Sequence, residues 1–207
     1  MTVKTVPVGV LATNCYLLSD GQGHAVLVDP AFETEKIRAA LNGDAVQAIV
    51  LTHGHFDHIC ESDRLRALYG CPVYAAEQEK PVFETYLLYS AGGLFPKNRP
   101  CSHTVDVWLH DGERVNFCGT DFDVRVLTGH TPGGLVLIGG GRMFCGDLLF
   151  RGSIGRTDFP GGDPRAMDDS LRILASYPPE TEVFPGHDAP TSIGRERREN
   201  YYLRSLL

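Results

Sequence analysis

The sequence predicts an α/β fold of four layers, αββα, in which two sheets lie face to face and helices cover both outer sides. Three observations lead there. The chain opens with strands joined by turns, then changes to strands alternating with helices, the pattern of a sheet with helical crossovers. Residues 46–51 are almost wholly apolar, as a strand covered on both faces must be. From Val107 the course repeats, with short strands first and helices after them.

Residues 3–8 and 13–18 read as strands, and the turn-rich stretch 19–23 leads to a third at 24–28. Asp29-Pro30 ends that strand. Residues 33–41 carry Ile37, Ala40 and Leu41 at helical spacing, with Gly43 as a stop. After the 46–51 strand, a helix is predicted over 59–69, with Leu65 and Leu68 three apart and Gly70 at its end, and a short strand at 72–75. Residues 77–105 read as a helix and then an irregular loop, because Phe83, Tyr86 and Tyr89 run into Ala-Gly-Gly-Leu-Phe-Pro. A loop of that length is either a lid or binding loop, or an insertion packed on the surface. Runs at 107–109, 114–117, 123–127, 135–138 and 142–145, separated by glycine-rich turns, predict a second, mainly antiparallel sheet. Residues 164–176 place Met167, Leu171 and Leu174 at helical spacing, 182–185 is a last buried strand, and 193–206 reads as a closing helix.

With 43% hydrophobic and 22% charged residues, the chain fits one compact globular domain over residues 1–207, without a linker or low-complexity segment. A formal charge of −7 gives no positive field for a nucleic-acid backbone. Arg195, Arg197 and Arg198 are interleaved with Glu196 and Glu199, which reads as a mixed-charge helix face. No run approaches the ~18 to 20 apolar residues of a membrane helix, and the N-terminus lacks a basic region followed by an apolar one. Six cysteines without a C-x-x-C pair read as reduced thiols in a cytoplasmic protein. Cys60, two residues past His58, reads as a packing residue that could also approach a metal.

The chemistry concentrates in residues 51–58, Leu-Thr-His-Gly-His-Phe-Asp-His. His53 and His55 are two apart, so in an extended segment both imidazoles leave on one side and can share an ion. Asp57 and His58 diverge unless the chain turns there into a helix that aims them at a second point, which suggests two neighbouring ions. The loop follows the carboxyl end of the 46–51 strand, where open α/β sheets bind ligands. Three more candidates end strands in the same way: His130 in Gly-His-Thr-Pro-Gly, Asp147 in Cys-Gly-Asp, and His187 in Pro-Gly-His. Singly, each has an ordinary explanation, such as a helix cap or a satisfied loop carbonyl. Together they bring the set to five histidines and two aspartates, enough for two metals with one bridging carboxylate. His24, His103 and His110 lack such context and read as ordinary surface or strand residues.

Thr52 to His58 meets the pattern T-H-x-H-x-D-H, and with it the chain resembles the metallo-β-lactamase superfamily over nearly its whole length. Thr-Asn-Cys-Tyr-Leu at 13–17, Gly-His-Thr-Pro-Gly at 129–133, residues 146–159 and Pro-Gly-His at 185–187 look closest to the glyoxalase II-like branch, the hydroxyacylglutathione hydrolases, in their short bacterial form. The resemblance implies the metallo-β-lactamase fold, with His53, His55 and His130 around one ion, Asp57, His58 and His187 around the other, and Asp147 bridging. It also implies that Asp29 orients a ligand histidine, that Asp57 carries a proton, and that Arg156 meets a substrate carboxylate. Zinc suits the nitrogen-rich set, and iron or manganese can compete. The implied reaction is hydrolysis of a small glutathione-derived thioester, such as S-lactoylglutathione, by a hydroxide held between the ions.

Two departures qualify the match. Gly134 and Leu135 stand where many relatives carry a histidine or serine, and the helical domain with which long glyoxalase II enzymes help bind glutathione has no counterpart after His187. Thioester hydrolysis is therefore better supported than glutathione recognition. Two other activities occur on the same fold. A persulfide dioxygenase would use one iron on His53, His130 and Asp147, and a lactonase of the same fold is a further alternative.

Overall fold

Turn chemistry and strand burial together decide which pairs run antiparallel. The computed structural model describes residues 1–84 and 104–207. β1 (Thr2–Val8), β2 (Thr13–Ser19) and β3 (His24–Val28) follow one another through short turns and pair antiparallel. Gly9, Gly21 and Gly23 take positive φ in those turns, where a side chain would be strained. β4 (Ala45–Val50) and β5 (Val73–Ala76) join in parallel, which requires crossovers, and α1 (Thr34–Leu41) and α3 (Ser62–Tyr69) supply them.

The second sheet also has six strands. Its antiparallel run is β7 (Arg114–Phe117), β8 (Thr120–Leu127), β9 (Gly134–Gly139) and β10 (Arg142–Gly146). The hairpin β11 (Leu149–Phe150) with β12 (Ser153–Ile154) stands apart. α4 (Pro164–Ala175) then crosses to β13 (Glu182–Pro185), parallel to β10, and β14 (Thr191–Ser192) closes the edge. Asp163 caps α4 by accepting from the Arg165 and Ala166 amides, with Pro164 as its first residue.

Alternation along the strands builds three apolar layers, and these define the four-layer sandwich. Cys15, Leu17, Ala25 and Leu27 pack outward with Ile37 and Leu65 of the helices. Their neighbours Tyr16, Leu18, Val26 and Val28 pack inward against Phe122, Leu135 and Phe144 of the second sheet. On the far side, Val136, Met143 and Cys145 pack against Met167, Leu171 and Leu174. Among the described residues, no helix is long and apolar enough to cross a membrane.

Three expectations need correction, and a fourth lies largely outside the described residues. Val107–Leu109 is β6, and it pairs in parallel with β5 as the edge of the first sheet, so it does not belong to the second. Asp106 sets this pairing, because its carboxylate takes the Val73 amide at 2.9 Å and the Arg66 guanidinium at 2.7 and 2.5 Å. The helix expected at 59–69 is two, α2 (Phe56–Ile59) and α3, with a break at Glu61, whose buried carboxylate accepts from Thr34 of α1. The closing helix is also two, α5 (Ile193–Glu199) and α6 (Tyr201–Arg204). Asn200 is extended between them, with φ −74° and ψ 118°, and caps the second by accepting from Tyr202 and Leu203 amides. In the 77–105 stretch, a 3-10 turn at Glu77–Glu79 precedes helical residues 80–84, and the expected loop falls mainly outside the described residues.

Candidate metal centre

The strand ends of both sheets face one another at one edge of the sandwich, and all seven candidate ligands meet there. His53 Nε2 lies 3.1 Å from His55 Nδ1, which lies 2.9 Å from His130 Nε2. α2 supplies the turn that Asp57 and His58 need, and brings His58 Nε2 to 3.6 Å from Asp57 Oδ2. His187 Nε2 is 3.2 Å from that same oxygen. Asp147 stands between the two groups. Its Oδ2 is 3.5 Å from His187 Nε2, 3.6 Å from His130 Nε2 and 4.0 Å from His53 Nε2, and its Oδ1 is 3.5 Å from His58 Nε2.

Four of the five rings are oriented from behind through Nδ1, which turns Nε2 into the site. His58 donates to Asp29 Oδ2 at 2.8 Å, His130 to the Arg156 carbonyl at 2.7 Å, and His187 to the Leu11 carbonyl at 3.1 Å. Thr52 Oγ1 gives its own proton to Asp29 at 2.6 Å, so its lone pairs are free for His53 Nδ1 at 3.1 Å. Asn14 and Tyr16 hold the Pro185 carbonyl at 3.0 and 2.5 Å, which seats the loop carrying His187. Asn14 and Tyr16 belong to the Thr-Asn-Cys-Tyr stretch, whose role could not be read before the fold was known.

The donor set fits two cations. His53, His55 and His130 form one group of convergent ligand atoms, Asp57, His58 and His187 another, and Asp147 shares a third with His53 and His58. His58 Nε2 and Asp147 Oδ1 are buried without a hydrogen-bond partner, which is costly for polar atoms unless something charged satisfies them. Electrostatics divide the groups. Burial, then the neighbouring histidines, pushes His55 down to about 4, and burial lowers His53 and His130 too. Burial also opposes charge on His187, but Asp147 and Asp57 outweigh it and carry His187 up to about 10. His58 moves up for the same reason. Asp57 and Asp147 stay below the usual carboxylate range, because His58 and His187 overcome the effect of burial.

A cavity of about 500 Å³ opens over the cluster, walled by Leu11, Phe56, Phe159 and Pro160, with Arg156 at its edge. Arg156 forms a two-pronged pair with Asp158, at 2.7 and 2.8 Å, and stacks 3.6 Å from the Phe159 ring centre. Cys60 donates its thiol proton to the Phe56 carbonyl at 2.7 Å and is in none of the ligand groups.

A two-sheet sandwich with this cluster at its strand ends defines a metal-dependent hydrolase. The metallo-beta-lactamase superfamily model matches residues 8–187, and the chain belongs to that superfamily. It is 33% identical to the hydroxyacylglutathione hydrolase GloC of Haemophilus influenzae, over 99% of each chain. Among solved structures, BLEG-1 B3 metallo-beta-lactamase superposes with a TM-score of 0.89 at 32% identity, covering 98% of this chain and 99% of that one. The di-iron-bound form of TTHA1623 gives 0.86 at 40% identity, covering 97% and 100%. ETHE1 from Myxococcus xanthus gives 0.77 at 30% identity, covering 97% and 84%.

Proposed function

We propose that this protein hydrolyses a small thioester, of the S-lactoylglutathione type, at a two-metal centre. The carrying observation is the position of Asp147, whose Oδ2 lies between His53 and His130 of one group and His187 of the other while its Oδ1 faces His58, so that one carboxylate reaches both groups. The full-length likeness to a hydroxyacylglutathione hydrolase supports the substrate class. His53, His55 and His130 would hold one ion and Asp57, His58 and His187 the other. Bound divalent ions supply Lewis acidity and bring the pKa of water down to about 7.

The chain's own groups do the rest. The walls of Leu11, Phe56 and Phe159 strip water from the acyl group, which strengthens every polar interaction below them. Asp57 is ionised at neutral pH, and Thr13 Oγ1 donates to its Oδ2 at 3.3 Å, which holds the carboxylate in its place beside His58 and His187. The departing thiolate, of pKa about 8.5, needs no strong acid. Arg156 at the rim offers a charge for a substrate carboxylate, in competition with Asp158.

Elemental analysis with S-lactoylglutathione hydrolysis tests the reading. Two ions per chain and turnover that disappears in His55→Ala are expected, whereas unchanged turnover in that variant removes the metal mechanism. A second reading, a one-iron persulfide dioxygenase, draws on the proximity of His53 and His130 to Asp147 and on the likeness to ETHE1. Oxygen uptake on glutathione persulfide with one iron per chain would select it.

A further inference from the structure

One buried charge lies behind the cluster without belonging to it. Glu79 ends the 3-10 turn after β5, and its side chain is fully buried. Its Oε2 accepts the amide of Gly54 at 2.9 Å, and its Oε1 accepts the amide of Gly133 at 2.7 Å. Gly54 separates His53 from His55, and Gly133 closes the turn that carries His130. No ion pair to Glu79 forms among the described residues, so the two amides, with the Thr131 hydroxyl beside them, compensate it for leaving water.

Both glycines make the approach possible. A Cβ on Gly133 would sit 2.6 Å from Gln78 Cβ and 2.8 Å from the Glu79 amide nitrogen, and one on Gly54 would sit 2.9 Å from Val82 Cγ1. His55 has the greatest need of such an anchor. Among the described residues it is the one ligand histidine with no hydrogen bond from its other ring nitrogen, so its placement depends on the backbone beside it.

We propose that Glu79 is a positioning residue: one carboxylate, with an oxygen on each loop, sets the separation at which His53, His55 and His130 hold an ion. This rests on the reading of the cluster as a metal centre. Among the described residues Glu79 makes no hydrogen bond to Asp57, His58 or His187, so the effect should be confined to one ion.

The test compares wild type with Glu79→Gln, which turns an amide NH₂ toward one of the two backbone donors, and Glu79→Ala, which leaves both unpaired. Zinc titration by calorimetry and elemental analysis should show the three-histidine ion weakened by about 10 to 100-fold, the usual effect of losing an outer support, with the other ion unchanged. Amide exchange in the metal-free variants should rise in residues 53–55 and 129–133. Wild-type affinity at both ions, parallel loss of both, or failure of both variants to fold would each overturn the proposal. A wild type that binds no zinc, iron or manganese would instead remove the metal reading on which it stands.

Discussion

Asp29 accepts the Nδ1 proton of His58 at 2.8 Å while its carboxylate also takes the amide and hydroxyl of Thr52, at 2.7 and 2.6 Å. The residue adopts φ 51°, a left-handed conformation that aspartate tolerates better than most, and this turns the carboxylate back beneath the ligand loop. One side chain thereby orients His58 directly and His53 through Thr52. Asp29→Asn keeps the shape and removes the charge, and an amide cannot serve all three donors. Metal affinity should fall by about 10 to 100-fold with the circular dichroism spectrum unchanged, as followed by competition with a chromophoric chelator.

The division of the cluster into low and high pKa groups predicts an order of metal loading. A histidine must be neutral to bind an ion. His55, at about 4, and His53, held well below the ordinary value, are already neutral near pH 6, and burial shifts His130 in the same direction, so this group binds with little proton release. His187, at about 10, and the raised His58 are protonated there, so each must lose a proton and their affinity climbs with pH. One ion at about pH 6 and two at about pH 8 are expected. Calorimetry in two buffers of different ionisation enthalpy should register protons released mainly with the second ion. Equal loading at both pH values, without proton release, contradicts the assignment.

Gly186 is a second point of sensitivity. A Cβ there would press into Asp147 Oδ1 and stand 2.7 Å from His58 Cε1. Neither neighbour can yield without leaving its ligand position, and the backbone is fixed by bonds to Gly146 and Asn14 at 2.9 and 2.8 Å. Gly186→Ala should lower kcat by about 100-fold or more, the scale of a misplacement near 1 Å, and displace metal while the thermal transition stays cooperative.

These relationships differ in how visible they are in the sequence. α4 and β3 were legible because apolar periodicity is local and each has a clear stop. The convergence of the seven candidates was legible because His53, His130, Asp147 and His187 each follow a strand in a glycine-rich setting and that shared placement brings them to one edge. The sheet that takes Val107–Leu109 was not legible, since three apolar residues pair as well with either sheet and the deciding bonds run from Asp106 to Val73 and Arg66. Asn200 was hidden inside an otherwise helical pattern, because its role as a cap depends on Ser153 and Glu196 lying within reach of its amide. Glu79 left no trace at all, as it acts on backbone amides remote in sequence.

Arg156 separates a structural from a substrate role. Its carbonyl orients His130, whereas its guanidinium is held by Asp158 and Phe159 at the cavity edge. A side-chain substitution therefore leaves the metal support intact. Arg156→Met retains an apolar stem over Phe159 and removes only the charge. If the guanidinium leaves Asp158 to receive a substrate carboxylate, KM for a carboxylate-bearing thioester should rise about 10-fold, in keeping with one charged hydrogen-bonded contact at a half-exposed site, while kcat and metal content hold. An uncharged thioester should be indifferent to the change. Asp158→Asn should act in the opposite direction, freeing the guanidinium and lowering KM for the charged substrate. Equal KM values for charged and uncharged substrates in all three proteins would reduce the Arg156 and Asp158 pair to a surface ion pair.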